Sequence, residues 1–288
     1  MEKFKNLTTL IEMALNEDLL DIGDVTSEAI FNDESYSYKL MAKESGILSG
    51  LDIFINVMKS VDEKINVKSH FKDRDVINRG NIIADVSGPV VSILKAERTA
   101  LNFISHLSAI STKTSTFVKR AEGNVIILDT RKTLPGYREL EKYAVKCGGG
   151  ENHRMGLYDM VMIKDNHSDA AGGIKSAVER VKAKWGDKYK IEVEARNLEE
   201  VKEAFKCGAD RIMLDNMSDT DMEEAVDYIA GRAETEASGN MNLQRIKSAS
   251  LTGVDYISFG ELTNSVKAFD FSLKEVKEVK EVKEKENR

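Results

Sequence analysis

Proline and cysteine are scarce in this 288-residue chain, with two of each. Pro89 and Pro135 are too few for a collagen-like or proline-rich architecture. Cys147 and Cys207 form neither a CxxC pair nor a disulfide framework, which fits a reducing, cytoplasmic compartment. A basic surplus is also missing. The 42 Lys and Arg against 49 Asp and Glu leave a formal charge of −7, so no nucleic-acid partner is expected. No apolar run nears the ~18 residues of a transmembrane helix, so no membrane partner is expected either. The first residues, MEKFKNLTTLIEMALNEDLL, carry scattered acids and lack the apolar core of a signal peptide. His70, His106, His153 and His167 lack zinc-ligand spacing, and there is no GxSxG nucleophile motif.

What is present is a chain that is 41% hydrophobic, long enough for two domains or for a large α/β barrel with an extension. Phe4, Leu7, Leu10, Ile11, Ala14 and Leu15 predict an N-terminal amphipathic helix, and Glu17–Thr26 reads as a loop. Residues 36–91 hold short apolar runs broken by glycine and charge, the pattern of an α+β domain with several strands around one helix. A long helix is predicted over Glu97–Arg120, with Arg98, Asn102 and His106 on one polar face. After it the rhythm changes. Apolar runs at 125–129, 159–165, 189–195, 211–216, 234–239 and 255–261 alternate with helical stretches such as Ile174–Trp185, Leu198–Cys207 and Met222–Ile229. That is a series of parallel βαβ units, a small or incomplete barrel of about six strands. The segment from Lys274 to Arg288 reads as a solvated terminal helix with a thin valine stripe.

The chemistry collects at the ends of these predicted strands. One ends in Asp129-Thr130-Arg131-Lys132, the next in Lys164-Asp165-Asn166-His167. Another carries Glu192 and Glu194, and the following ends in Asp215-Asn216. The last two end in Ser238-Gly239-Asn240 and Gly260-Glu261. In a barrel the C-terminal strand ends form one rim, where active sites lie. Cations without a nucleophile suit phosphates or carboxylates, and carboxylates beside a phosphate site suit Mg²⁺. The run CGGGENHRMG (147–156) presents His153 and Arg154 from a glycine-rich loop between the first two barrel strands.

Several segments carry a resemblance. They are LDTRKTLPGYRELEKYAVKCGGGENHRMGLYDMVMIKDNH (128–167), IEVEARNLEEVKEA (191–204), ADRIMLDNMS (209–218), EASGN (236–240) and GVDYISFGELTNSVKAFDFSL (253–273). EDLLDIGDVTSEAI (17–30), KESGILSGLDI (43–53) and AERTALNFISHLSAIST (96–112) agree with them. Together they resemble the quinolinate phosphoribosyltransferase family, also called nicotinate-nucleotide pyrophosphorylase (carboxylating), over nearly the whole chain.

The resemblance implies an α/β fold of the type II phosphoribosyltransferases. An N-terminal α/β sandwich domain (1–112) is followed by an open, roughly six-stranded α/β barrel (113–264), and segment 265–288 packs back on the sandwich. It implies transfer of phosphoribosyl from 5-phosphoribosyl-1-pyrophosphate to quinolinate with decarboxylation, giving nicotinate mononucleotide, pyrophosphate and CO2. Mg²⁺ is the implied cofactor and a homo-oligomer, dimer or hexamer, the implied assembly. Arg131, His153, Arg154 and Lys164, with Thr130 beside them, would cradle the dicarboxylate. Arg98 would enter from the neighbouring subunit, and Lys132 would meet phosphate or pyrophosphate. Glu194 and Asp215 would lie near the ribose hydroxyls and Mg²⁺. Ser238, Gly239, Asn240, Phe259, Gly260 and Glu261 would take the 5′-phosphate. Lys132, Lys164, Glu194 and Asp215 are thus the catalytic candidates.

This chain departs from the family pattern at three places. His106 replaces an arginine, Ser108-Ala109-Ile110-Ser111 replaces SGIA, and Asn240 replaces a second glycine. Three rival readings stand beside the family one. A molybdenum-associated paralogue is disfavoured by KDNH and ENHRMG. A Schiff-base barrel enzyme would use Lys164 or Lys132. A non-catalytic binder is disfavoured by Arg131, Lys132, Arg154, Lys164, Glu194 and Asp215 all being present.

Overall fold

A computed structural model describes residues 4–276. Two compact units divide the chain. One runs to His106 and resumes at Ala268, and the other is Leu107–Lys267.

In the first unit, helix α1 (Leu7–Leu19) and the single turn α2 (Ser27–Ile30) precede strand β1 (Ser35–Ala42). Strand β2 (Gly46–Ile47), helix α3 (Leu51–Val61) and strands β3 (Asn66–Ser69), β4 (Val76–Ile77) and β5 (Ile82–Pro89) follow. Helix α4 (Val90–Arg120) begins here and continues into the second unit. Strands β1 and β12 (Phe271–Glu275) alternate in burial, β5 buries Ile83, Ala84 and Val86, and the unit's core includes Leu51, Ile53, Phe54, Val57 and Met58 of α3.

The second unit repeats strand and helix: β6 (Ile126–Leu128), α5 (Arg138–Cys147), β7 (Val161–Ile163), α6 (Asp165–Ala171), α7 (Ile174–Trp185), β8 (Ile191–Ala195), α8 (Leu198–Lys206), β9 (Arg211–Asp215), α9 (Asp219–Ile229), β10 (Glu234–Ser238), α10 (Ile246–Leu251), β11 (Tyr256–Ser258) and α11 (Glu261–Asn264). The chain then returns to the first unit as β12 (Phe271–Glu275), which pairs antiparallel with β1 and completes a sheet in the order β12-β1-β5-β3.

All six second-unit strands are parallel, in the order β6-β11-β10-β9-β8-β7. The sheet is an open barrel, because no ladder joins β6 to β7. Residue Glu151 instead makes a parallel bridge to Leu128, so the segment after α5 lies along the free edge of β6. Helix boundaries follow local chemistry. The Asn197 side chain accepts the Glu200 N–H at the start of α8, and Ser218 accepts the Asp221 N–H at the start of α9.

Four expectations need correction. Glu17–Leu19 continues α1 rather than starting a loop. The long helix begins at Val90, directly after Pro89, because a proline ends the strand ladder and leaves its successor free to enter a helix. Asp165-Asn166-His167, read as the end of a strand, is the first turn of α6. Lys274 and Glu275 belong to strand β12, and the remainder of the predicted terminal helix after Val276 lies outside the described residues.

One glycine closes the second unit's packing. A Cβ on Gly148 would collide with the Ser111 carbonyl oxygen and sit 2.6 Å from Thr114 Cβ on α4. Gly148→Ala is therefore expected to cost about 1–3 kcal/mol by overpacking. Chemical denaturation of the variant measures it, and an unchanged midpoint would contradict the close approach.

Candidate active site

Along a strand, alternate side chains face the same way. In β8, β9 and β10 the set Glu192 and Glu194, Arg211, Met213 and Asp215, and Glu234, Glu236 and Ser238 therefore points into the barrel. The residues nearest the C-terminal ends of these strands line a cavity of about 410 Å³. Thr130, Arg131, Lys132, His153, Arg154, Lys164, Glu194, Asp215, Ser238 and Gly239 all border it, with Met162, Met213 and Ser258 supplying apolar and hydroxyl surface.

Ten of the expected site residues thus meet around one cavity. The others are placed differently. Arg98 is exposed on α4 in the first unit and does not line the cavity. Phe259 is 2% exposed with its ring edge-on to Phe117 at 4.9 Å, and its N–H donates to the Leu128 carbonyl oxygen at 3.0 Å, so neither its ring nor its N–H is left for a phosphate. Glu261 is spent on Lys113 at 2.8 Å. Gly260 lies beside the site: a Cβ there would sit 2.6 Å from Lys132 Cδ. Asn240 lies outside the lining at φ +45°, a left-handed backbone that asparagine tolerates, and its amide donates to Asn216 Oδ1 at 2.8 Å. The departure from glycine is therefore accommodated with its side chain tied down.

Charge is arranged in two layers. In the upper one, Lys164 Nζ lies 3.3 Å from Glu194 Oε2. Burial raises the Glu194 pKa; Lys164 opposes the shift and Asp215 adds to it. Two facing carboxylates of this kind are oxygen donors suited to a hard divalent cation. Arg131 Nε is buried without a hydrogen-bond partner. Burial, then the Arg131 guanidinium, lower the pKa of Arg154. The cavity thus contains cations whose repulsion an anion would relieve.

Beneath lies a layer that holds the expected His153, with Glu192 and with Glu236 and Arg211, which the sequence did not single out. His153 is buried, with Nε2 at 2.9 Å from Glu192 Oε2 and 3.4 Å from Glu236 Oε2. Both glutamates are fully buried, and Arg211 Nη1 donates to Glu236 Oε2 at 3.3 Å. Burial alone would strip His153 of its proton; the two carboxylates reverse this and push its pKa up to about 9. Burial and the Glu236 charge push Glu192 up to about 7. His153 Nδ1 accepts the Arg154 N–H at 2.6 Å, so charging the ring fully costs that contact. These three residues are grouped closely enough to hold a metal. The Arg211 guanidinium at Glu236 weighs against a cation there.

The pH consequence follows from the sign. A histidine whose folded pKa lies above its unfolded value of ~6.5 stabilises fully below that pH and loses the contribution as pH rises through about 9. The thermal midpoint is expected to fall across this window, and His153→Gln to flatten the fall. An identical pH profile in the variant would contradict the buried ion-pair cluster.

Comparison with known proteins now adds to the geometry. Residues 24–108 match the family model "Quinolinate phosphoribosyl transferase, N-terminal domain", and 110–274 match the C-terminal domain of the same name. A relative from Arabidopsis thaliana, "Nicotinate-nucleotide pyrophosphorylase [carboxylating], chloroplastic", is 45% identical over 93% of this chain and 82% of its own length. The "Probable nicotinate-nucleotide pyrophosphorylase [carboxylating]" of Bacillus subtilis is 42% identical, covering 87% of each chain. A solved structure of the nicotinate-nucleotide pyrophosphorylase from Francisella tularensis superposes with a TM-score of 0.92 at 40% identity, over 95% of this chain and 98% of that one.

Proposed function

The chain belongs to the quinolinate phosphoribosyltransferase family, and on that premise we propose that it transfers phosphoribosyl from 5-phosphoribosyl-1-pyrophosphate to quinolinate with decarboxylation. The products are nicotinate mononucleotide, pyrophosphate and CO2, a step of de novo NAD synthesis. The observation that carries the reading is Arg131, whose buried Nε has no partner in a cavity that also holds Arg154 and Lys164. A carboxylate supplies the missing acceptor, and a dicarboxylate answers more than one cation.

The bonding changes ask for positioning and charge more than for a nucleophile. The pyridine nitrogen's lone pair forms the bond to the anomeric carbon as the carbon–oxygen bond to pyrophosphate breaks. Positive charge builds on the ribose at that moment, and Glu194 and Asp215 at the rim are suited to stabilise it. The pyridinium then withdraws electrons, so the bond to the adjacent carboxylate breaks and CO2 leaves. The electron pair remains on the ring carbon, where a proton replaces the lost group. Arg131, Arg154 and Lys164 orient the carboxylates. Lys132 faces phosphate or pyrophosphate, and Ser238 with the backbone at Gly239 (φ +77°) receives the 5′-phosphate.

Mg²⁺ fits the Glu194–Asp215 pair, where it would neutralise the charge of the departing pyrophosphate. We assign the exposed Arg98 to a partner subunit's site in a homo-oligomer, the role that the family resemblance implies for it. A cytosolic setting suits the two free cysteines. Among the described residues no helix is long and apolar enough to cross a membrane.

The direct test is release of CO2 from carboxyl-labelled quinolinate with 5-phosphoribosyl-1-pyrophosphate and Mg²⁺. Turnover to nicotinate mononucleotide is expected, and its absence would sink the reading. Arg131→Ala is expected to lower kcat/KM for quinolinate by about ten- to a hundredfold, on the scale of one charged hydrogen bond. An unchanged kcat/KM would remove Arg131 from the site.

A further inference from the structure

Helix α5 carries Arg138, Glu141 and Lys142 at i, i+3 and i+4, so the three share one face. Lys142 and Asp129 are both fully buried and form an ion pair. The Lys142 ammonium also donates to the His153 carbonyl oxygen at 2.9 Å. Asp129 Oδ1 accepts the His153 N–H at 2.9 Å. The Asn152 amide lies 2.8 Å from Asp129 Oδ2 and 2.9 Å from the Lys142 carbonyl oxygen, two acceptors that assign its nitrogen to this side. One turn earlier on the helix, Arg138 Nε donates to Thr133 Oγ1 at 3.0 Å and its Nη1 to the Met155 carbonyl oxygen at 3.3 Å. None of Arg138, Lys142 and Asp129 lines the cavity.

These bonds join two segments that are separate in sequence. Asp129 directly precedes Thr130-Arg131-Lys132, and His153 directly precedes Arg154. Each segment therefore delivers a guanidinium to the same cavity. Two like charges bordering one cavity push their segments apart. A buried ion pair is a poor choice for stability alone, because apolar side chains of similar volume hold two segments together equally well. Apolar side chains cannot grip a backbone N–H and C=O at a fixed distance. The directional bonds to both sides of the His153 peptide are what this pair adds.

We propose that Lys142 and Asp129 are positioning residues that set the spacing of Arg131 and Arg154, and through it the affinity for the dicarboxylate, without touching it. The proposal rests on the functional reading above. Arg138 supports the same spacing from the outer side of the helix.

The test replaces the pair together, Lys142→Met with Asp129→Asn, so that no buried charge is left alone. Folding is checked by circular dichroism, and KM is measured separately for quinolinate and for 5-phosphoribosyl-1-pyrophosphate. Quinolinate binding is measured directly by calorimetry. The expected result is a rise of about tenfold or more in quinolinate KM and Kd, with the other KM nearly constant. A folded variant with unchanged quinolinate affinity, or with both KM values raised alike, overturns the proposal. If the double variant does not fold, Arg138→Ala decides on the same criteria. A wild-type chain that neither binds nor turns over quinolinate overturns the functional reading and this proposal with it. A wild-type chain that does both, beside an unchanged variant, overturns the proposal alone.

Discussion

Like-charge repulsion inside a small cavity is the constraint on which the rest of this structure depends. Arg131, Arg154, Lys132 and Lys164 border one space of about 410 Å³. Guanidinium and ammonium groups gathered so closely would separate unless fixed from behind. The chain fixes them with carboxylates: buried Asp129 behind the two arginine segments, buried Glu192 and Glu236 behind His153, and half-buried Glu194 against Lys164. An anionic substrate then enters a cradle whose reorganisation is already complete, the condition under which charge stabilises a reaction most.

The barrel makes this layering possible. Strand alternation stacks Glu194, Asp215 and Ser238 at the rim, and Glu192, Arg211 and Glu236 deeper along the same inward faces. The parallel registers set Glu192 opposite Arg211, Glu194 and Glu236 both opposite Met213, and Ser238 opposite Asp215. The open edge between β6 and β7 serves a purpose as well. It admits the segment around Glu151, which follows β6 and sets His153 and Arg154 over the cavity.

Much of this was legible in the sequence. The six barrel strands appear as apolar runs with polar ends, and those ends delivered Arg131, Lys164, Glu194, Asp215 and Ser238 to one rim. Helix α5 was hidden because it buries Glu141 and Lys142 as well as Leu140, Ala144 and Val145, so its inward face does not read as apolar. The deep glutamates were hidden for a related reason. In IEVEA and ETEAS an alternating acid reads as the solvent face of a half-buried strand, whereas in a barrel that face is the lumen. The signal that could have found them is the recurrence of inward-parity charges, Glu192, Arg211 and Glu236, on three neighbouring strands. Phe259 and Glu261 mark the opposite error: a polar strand end places a residue near the rim but does not decide whether its side chain turns to the cavity, to Phe117 or to Lys113.

The central claim is that the fixed cations form a cradle for two carboxylates on one ring. Calorimetric titration of the wild-type chain with pyridine-2,3-dicarboxylate and with pyridine-3-carboxylate tests it most directly. The account predicts that the dicarboxylate binds about tenfold or more tightly, the scale of one added charged hydrogen bond. Equal affinity for the two acids would contradict it.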